Sequence, residues 1–396
     1  MKKLIGNFNL NSVIILYFIG VCLFLIYNID THLWDFKVYY AASKCYLNGT
    51  NPYDVKTLYS YSTNIADLPF MYPPISIYFF LPFTFFDLHS ASLIYLFIKI
   101  VLLILSLYSS YKWIKNNQQS KYFLFFCLLS FNACLYKDFQ TGNIATFELF
   151  VLTLSFIHLE KKNFFIFTLL ISFIGFFKII PFVFLLLLLS TKSKKKWYYF
   201  LLGSAICICY IVLNFTIENK LFNSYLFHFS KNRIVEGGMS NPSCMEFVKE
   251  VFRTFNLNDH TVFIYLLYFS FIILIVFYTL KKIKKDLSND INIEIIFILF
   301  IGINLCLPRL KDYTFLTLIV PTFYLISNLK VNQKYILLLV FLSTFSSLNT
   351  SIPLYKDFLQ LINRYFSFLF LLTIYILYLK QHKNTHLKEI NNIIEF

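Results

Sequence analysis

Four charged residues in this chain stand where chemistry, more than packing, asks for them. Asp35 lies directly behind the first long apolar run, in the polar and aromatic stretch Trp34 to Asp54, WDFKVYYAASKCYLNGTNPYD. A carboxylate at the edge of an apolar region can take a proton from an attacking hydroxyl. Lys178, flanked by IGFF and IIP, is costly among apolar neighbours unless it snorkels or meets an anion. Arg309 and Lys311, in PRLKDY, are further cations able to balance a departing phosphate. One carboxylate and one cationic pocket suffice for group transfer, and no Asp-x-Asp pair or Cys/His spacing reads as a metal site. Plainer uses stand beside these. Asp35 serves equally as a helix cap or a favourable charge near a helix N-terminus, Lys178 as an ordinary snorkelling lysine, and Arg309 and Lys311 as counter-charges to Asp312.

Helices must position these groups. Asp35 and Tyr39 are four residues apart, so a helix stacks them on one face with Ala42 and Tyr46 nearby, and Asn48-Gly49 supplies its stop. A chain of 396 residues that is 58% hydrophobic and 14% charged cannot hide its apolar surface in a soluble core. It reads as an all-α polytopic membrane protein, one integral domain over residues 1–396. The formal charge of +15 is spread in short clusters between apolar runs, which argues against nucleic acid as a partner. Most cysteines sit in apolar runs and behave as small hydrophobes; Cys45 and Cys244 fall in polar loops and could pair. The first 29 residues, two lysines and then an apolar run, read as a retained signal anchor with a cytoplasmic N-terminus.

Apolar runs at 11–29, 91–111, 122–136, 144–159, 163–177, 179–190, 197–215, 261–280, 291–307, 314–328, 335–349 and 362–379 give about twelve spans. Lys2, Lys3, Lys112, Lys115, Lys121, Lys161, Lys162, Lys192, Lys281, Lys282, Lys330, Lys334 and Lys380 then gather on one side, which the positive-inside rule makes cytoplasmic, with both termini there and the chain in the cell membrane. Residues 72–86, interrupted by Pro73, Pro74 and Pro82, read as a re-entrant or surface segment. Residues 163–190 exceed one span and fall short of two, so they form a short helical pair with its apex at Lys178 to Pro181. Two larger extracytoplasmic loops follow, residues 30–90 and 216–260, with a smaller outer turn at Tyr136 to Asn143. Asp54, Asp67 and Asp138 are supporting acids, and Asp138 is the second candidate base.

Asp35-Phe36 with Tyr39-Tyr40, Gly49-Thr50-Asn51-Pro52-Tyr53-Asp54, Tyr72-Pro73-Pro74, Gly142-Asn143, and Lys178 with Pro181 occur in an order and spacing that resembles glycosyltransferase family 87. The likeness is densest over residues 35–190. Gly237 to Ser243, flanked by Arg233 and Arg253, also resembles the family's Asn-x-Ser segment near the acceptor side, and equally fits a flexible connection. The resemblance implies a GT-C-type helical bundle, a polyprenyl-phosphate-linked sugar donor carrying a hexose such as mannose, and a glycolipid or cell-envelope glycan acceptor reached from the outer side. It implies inverting transfer with Asp35 as general base. Substrate contacts would come from Tyr39, Tyr40, Asn51, Tyr72, Asn143 and Lys178, and, on charge alone because PRLKDY departs from the family's pattern, from Arg309 and Lys311; with no Asp-x-Asp pair, neither a metal nor a cofactor is expected. Asn143 also fits a plain turn, and Tyr72 fits a residue that shapes the re-entrant backbone. A transporter or flippase of a lipid-linked sugar shares the spans and buried charges, but the sequence shows no internal repeat; a polymerase or ligase of lipid-linked glycans would differ in using an oligosaccharide donor.

Overall fold

The computed structural model describes residues 10–61, 68–114, 122–231, 238–255, 261–286, 291–344 and 356–394. Lys2, Lys3, Asp67, Lys115, Lys121, Arg233 and Gly237 lie outside the described residues.

Among the described residues every regular element is helical, and the chain divides into two compact units. The first, Met1–Ser110 with Tyr136–Val235, holds α1 (Leu10–Tyr27), α2 (Trp34–Leu47), α3 (Val55–Tyr59), most of α4 (Leu88–Ile114), the end of α5 (Phe123–Thr141), α6 (Ala145–Glu160), α7 (Phe164–Gly175), α8 (Lys196–Ile217) and α9 (Asn219–Lys231). Short 3-10 segments run over Pro74–Phe79, Leu81–Phe85 and Ile180–Ser190. The second unit contains the end of α4, most of α5, α10 (Cys244–Thr254), α11 (Thr261–Asp286), α12 (Ile293–Leu305), the 3-10 segment Asp312–Leu318, α13 (Ile319–Ser327), α14 (Gln333–Leu342), α15 (Lys356–Arg364) and α16 (Phe366–Ile394).

Each apolar run read from the sequence falls wholly or in its described part on helical elements, yet among the described residues only α1, α4, α8 and α11 have span length by themselves, with α5 and α6 a fifth candidate if that pair, bent by 114°, is one span. The other apolar helical stretches among the described residues, Asp312–Ser327 and Phe366–Gln381 among them, are 10–17 residues long. At 1.5 Å per residue, ten residues cover only about 15 Å of a hydrocarbon core about 30 Å thick. The chain is a multi-pass membrane protein with four to five candidate spans. Helices α1, α8 and α11 keep much of their apolar surface outward, as Leu16, Leu23, Leu201, Ile208, Val262 and Ile273 show; that is the pattern of helices solvated by lipid. By contrast α12 buries nine of its thirteen residues and serves as a core helix of its unit.

Two sequence expectations change in detail. The run 122–136 is not one continuous helix: Ser130 leaves the helical region and Phe131, Asn132 and Ala133 adopt positive φ. Left-handed backbone costs a non-glycine residue roughly 1–2 kcal/mol, and a packed context must hold it here; the Phe131 N–H donates to the Ser343 carbonyl at 2.8 Å. Stretches 30–90 and 216–260, expected as loops, contain the helix expected from Asp35 to Asn48, α2, and also α3, α9 and α10. All eight cysteines are free thiols, Cys45 and Cys244 among the buried ones, so the pairing considered for those two is not formed.

Candidate active site

The first turn of α2 carries Asp35. It is fixed from outside the helix, because Leu33, in left-handed conformation at the N-cap, donates its N–H to the Gln140 carbonyl at 2.8 Å. This docks α2 on the turn joining α5 to α6. Gly142 makes the approach feasible: its φ is +71°, and a Cβ there would lie 3.0 Å from Leu33 Cα and 3.1 Å from Phe36 Cβ. At its far end α2 stops at Asn48 and Gly49, whose φ is +68°, as the sequence predicts.

Next to Gly142 stands Asn143, and its buried amide is the hub of the site. Asn143 Nδ2 donates to Asp35 Oδ2 at 2.7 Å and to the Tyr39 hydroxyl at 3.2 Å, while its Oδ1 accepts from Lys178 Nζ at 3.5 Å. Charge fixes the orientation of the amide, with donors toward the carboxylate and oxygen toward the ammonium. Tyr39 continues the chain to the Tyr72 hydroxyl at 2.9 Å. Tyr72 is held in turn by its own carbonyl, which accepts from the buried Tyr53 hydroxyl at 2.7 Å. Burial pushes the Tyr72 hydroxyl above the ordinary phenol range, against the opposing pull of Lys178, so it stays a neutral hydroxyl near pH 7.

Lys178 lies in the turn after α7. Gly175 allows that hairpin to close, since a Cβ there would come within 2.5 Å of the Phe182 ring. Lys178 Nζ pairs with Glu148 in the first turn of α6 at 3.0 Å, with 20% of the lysine side chain and 6% of the glutamate exposed. Asp35, Tyr72 and Lys178 are half-buried, whereas Asn143, Tyr39 and Glu148 are buried. The accessible atoms of the cluster are therefore a carboxylate, a phenol and an ammonium.

The structure thus brings together Asp35, Tyr39, Tyr72, Asn143 and Lys178, five of the residues singled out by the sequence. Tyr40 and Asn51 point elsewhere. The Tyr40 hydroxyl donates to the Phe86 carbonyl at 2.9 Å, and Asn51 caps its own turn through the Tyr53 N–H at 3.0 Å and reaches Ser224 at 3.2 Å. Asn51 acts one step removed, through Tyr53. Arg309 and Lys311 belong to the second unit, in a segment held by Asn241, which accepts the Leu310 N–H at 2.8 Å, and by Ser243, whose hydroxyl donates to the Pro308 carbonyl at 2.8 Å. The Asn-Pro-Ser stretch is therefore an anchored support. Asp138, the second candidate base, is completely buried and paired with Lys99 at 2.8 Å, so it has no access to a substrate.

Sequence reasoning passed over Glu148 and Lys99. The available signal was a lone charge inside an apolar helix, FELF in one case and FIKIV in the other, which is a functional flag by itself. Among the described residues no three His, Cys, Asp or Glu side chains are placed to share a metal ion. The cluster can accept a proton at Asp35 and, one amide away, stabilise an anion at Lys178. Searches of curated proteins and of solved structures return no match. The family model of glycosyltransferase family 87 matches residues 70–308, a stretch that contains Tyr72, Asn143, Glu148 and Lys178 and begins after Asp35. On that match the chain belongs to glycosyltransferase family 87, a membrane glycosyltransferase and therefore an enzyme.

Proposed function

We propose that this glycosyltransferase moves a hexose, mannose first among the candidates, from a polyprenyl-phosphate donor to a lipid or cell-envelope glycan acceptor on the extracytoplasmic side. The observation that carries the reading is the Asn143 amide, which joins the Asp35 carboxylate at one end to the Lys178 ammonium at the other. In an inverting displacement the acceptor oxygen attacks C1 of the sugar, its proton passes to Asp35, and the C1–O bond breaks toward phosphate. The departing group gains one negative charge as phosphodiester becomes monoester, and a cation held close to it lowers the barrier. Lys178 is assigned that task; Tyr39 and Tyr72 supply neutral hydroxyls for the sugar. Arg309 and Lys311 enter on charge alone. The basic clusters at the helix ends support the orientation, with both termini cytoplasmic.

Membranes containing the full chain, incubated with a panel of radiolabelled polyprenyl-phosphate hexoses, test this. Asp35→Asn is expected to lower transfer by about 10²–10⁴-fold while expression and gel-filtration behaviour stay as in the wild type. Unchanged turnover by that variant removes Asp35 as the base.

A further inference from the structure

We infer that Lys99 and Asp138 form a positioning clamp for the transfer reaction, a sealed ion pair that holds the turn from Asp138 to Asn143 in the one geometry that brings the Asn143 amide to Asp35. The inference rests on the reading of the site given above. A lysine ammonium has three protons to donate, and Lys99 Nζ has three acceptors on this turn: Asp138 Oδ2 at 2.8 Å, the Asp138 carbonyl at 2.6 Å and the Asn143 carbonyl at 2.7 Å. Neutralising Asp138 needs only the first. The other two contacts grip the main chain at the first and last residues of the turn, and so fix where its end residue, Asn143, projects.

The clamp reaches the second acid of the cluster as well. Asp138 Oδ2 accepts from the Thr146 hydroxyl at 2.5 Å, which ties the pair to the first turn of α6, the turn that carries Glu148. Asn143 and Glu148, both in contact with Lys178, are thereby placed by one device. Both side chains of the pair are 0% exposed. A buried ion pair is a poor source of stability, because desolving two charges costs as much as their attraction returns and apolar residues of similar size often do as well. Its use here is geometric: it specifies a backbone.

The test separates position from folding with the full chain in membranes. Replacing both charges together, Lys99→Met with Asp138→Leu, leaves no lone charge. The Asp138 carbonyl keeps the Gly142 N–H at 3.0 Å and the Thr141 hydroxyl at 3.2 Å, and the Asn143 carbonyl keeps the Tyr95 hydroxyl at 3.3 Å. With the polyprenyl-phosphate hexose turned over by the wild type, the paired variant should lose about 10²-fold in kcat with the donor KM little changed. Adding Asn143→Ala to it should cost little more, since both act through one amide. Wild-type kcat in the paired variant overturns the clamp, as does a loss that adds fully to that of Asn143→Ala. Full activity of Asn143→Ala alone, or a wild type inert toward every donor of the panel, overturns the reading of the site and the clamp with it. Should the paired variant not fold, Lys99→Arg decides: the planar guanidinium keeps the charge but cannot reproduce the ammonium's three directions, so kcat should fall at constant KM, and a full kcat overturns the clamp.

Discussion

Two lysine–carboxylate pairs flank Asn143, and they differ in nearly everything except composition. Lys99 and Asp138 are wholly sealed, the ammonium directed at a carboxylate and two main-chain carbonyls of one turn. Lys178 and Glu148 meet at a similar distance, but a fifth of the lysine remains reachable, and the next polar group beyond the amide is the Asp35 carboxylate. The sealed pair has no access to a substrate, so its effect is on the shape of the chain. The open pair can exchange one anion for another, which is what binding a phosphate requires. The same pairing of ammonium with carboxylate thus divides into architecture and chemistry according to how far water reaches.

Removing one partner from each pair is the strongest way to break this comparison. Lys99→Met alone leaves a buried carboxylate uncompensated and should cost about 3–5 kcal/mol of stability, read as a large fall in the unfolding midpoint in detergent or as failure to accumulate. Lys178→Met also leaves a buried carboxylate, Glu148, without its cation, but in a site that is partly open to water, so it should cost less, about 1–3 kcal/mol, while slowing transfer by about 10²–10³-fold, the usual loss when a group stabilising transition-state charge is deleted. Equal destabilisation by the two variants would mean that the pairs are of one kind. The division would then have no basis.

Of the open arrangement, Asp35, Asn143 and Lys178 were legible in the sequence and Glu148 was not; of the sealed pair, Asp138 drew notice as an acid and its tie to Lys99 did not. Asp35 and Lys178 announce themselves as charges at the ends of apolar runs, and Gly142-Asn143 as a turn. Residues 163–190 were readable as a helical pair because their length fits neither one span nor two. Nothing along the chain joins Lys99 to Asp138, which lie 39 residues apart on different helices, and each alone looks like an isolated misfit. The break in α5 is silent for another reason: SFNAC contains no glycine or proline, and the left-handed turn is held by a hydrogen bond to Ser343, more than two hundred residues away. Tyr40 and Asn51 were drawn into the expected site by their motifs; their hydrogen bonds show that those motifs shape the scaffold around Tyr53 and Phe86.

Gly142 sharpens the comparison at smaller cost, because it sits between the two pairs without carrying charge. Gly142→Ala introduces a Cβ at positive φ, against Leu33 and Phe36, and should destabilise by about 1–3 kcal/mol. If the turn transmits geometry to Asn143, the kcat of the folded fraction falls as well, with donor KM held. A variant that loses stability but keeps the wild-type kcat per folded molecule would show that the position of the turn matters little to the reaction.

A third carboxylate, more open than either, gives the smallest expected effect and completes the series. Asp54 caps α3, accepting the Lys56 N–H at 3.3 Å and the Thr57 hydroxyl at 2.6 Å; the Thr57 hydroxyl is the main reason its carboxyl sits below the usual carboxylate range. Since the folded value is depressed, the stabilisation is complete above the unfolded value, about 3.9, and is lost as pH falls through the folded one. Asp54→Ala should therefore cost about 1 kcal/mol near neutral pH, the worth of a helix cap, and nothing once the wild-type group is protonated. Amide exchange across Val55–Tyr59, followed from neutral pH into the acid range in wild type and variant, reads this directly, and transfer activity should scarcely move because Tyr53 still holds the Tyr72 carbonyl. A difference in exchange that persists in acid would assign the effect to packing, and Asp54 would then belong with the buried acids whose charge matters less than the shape they fill.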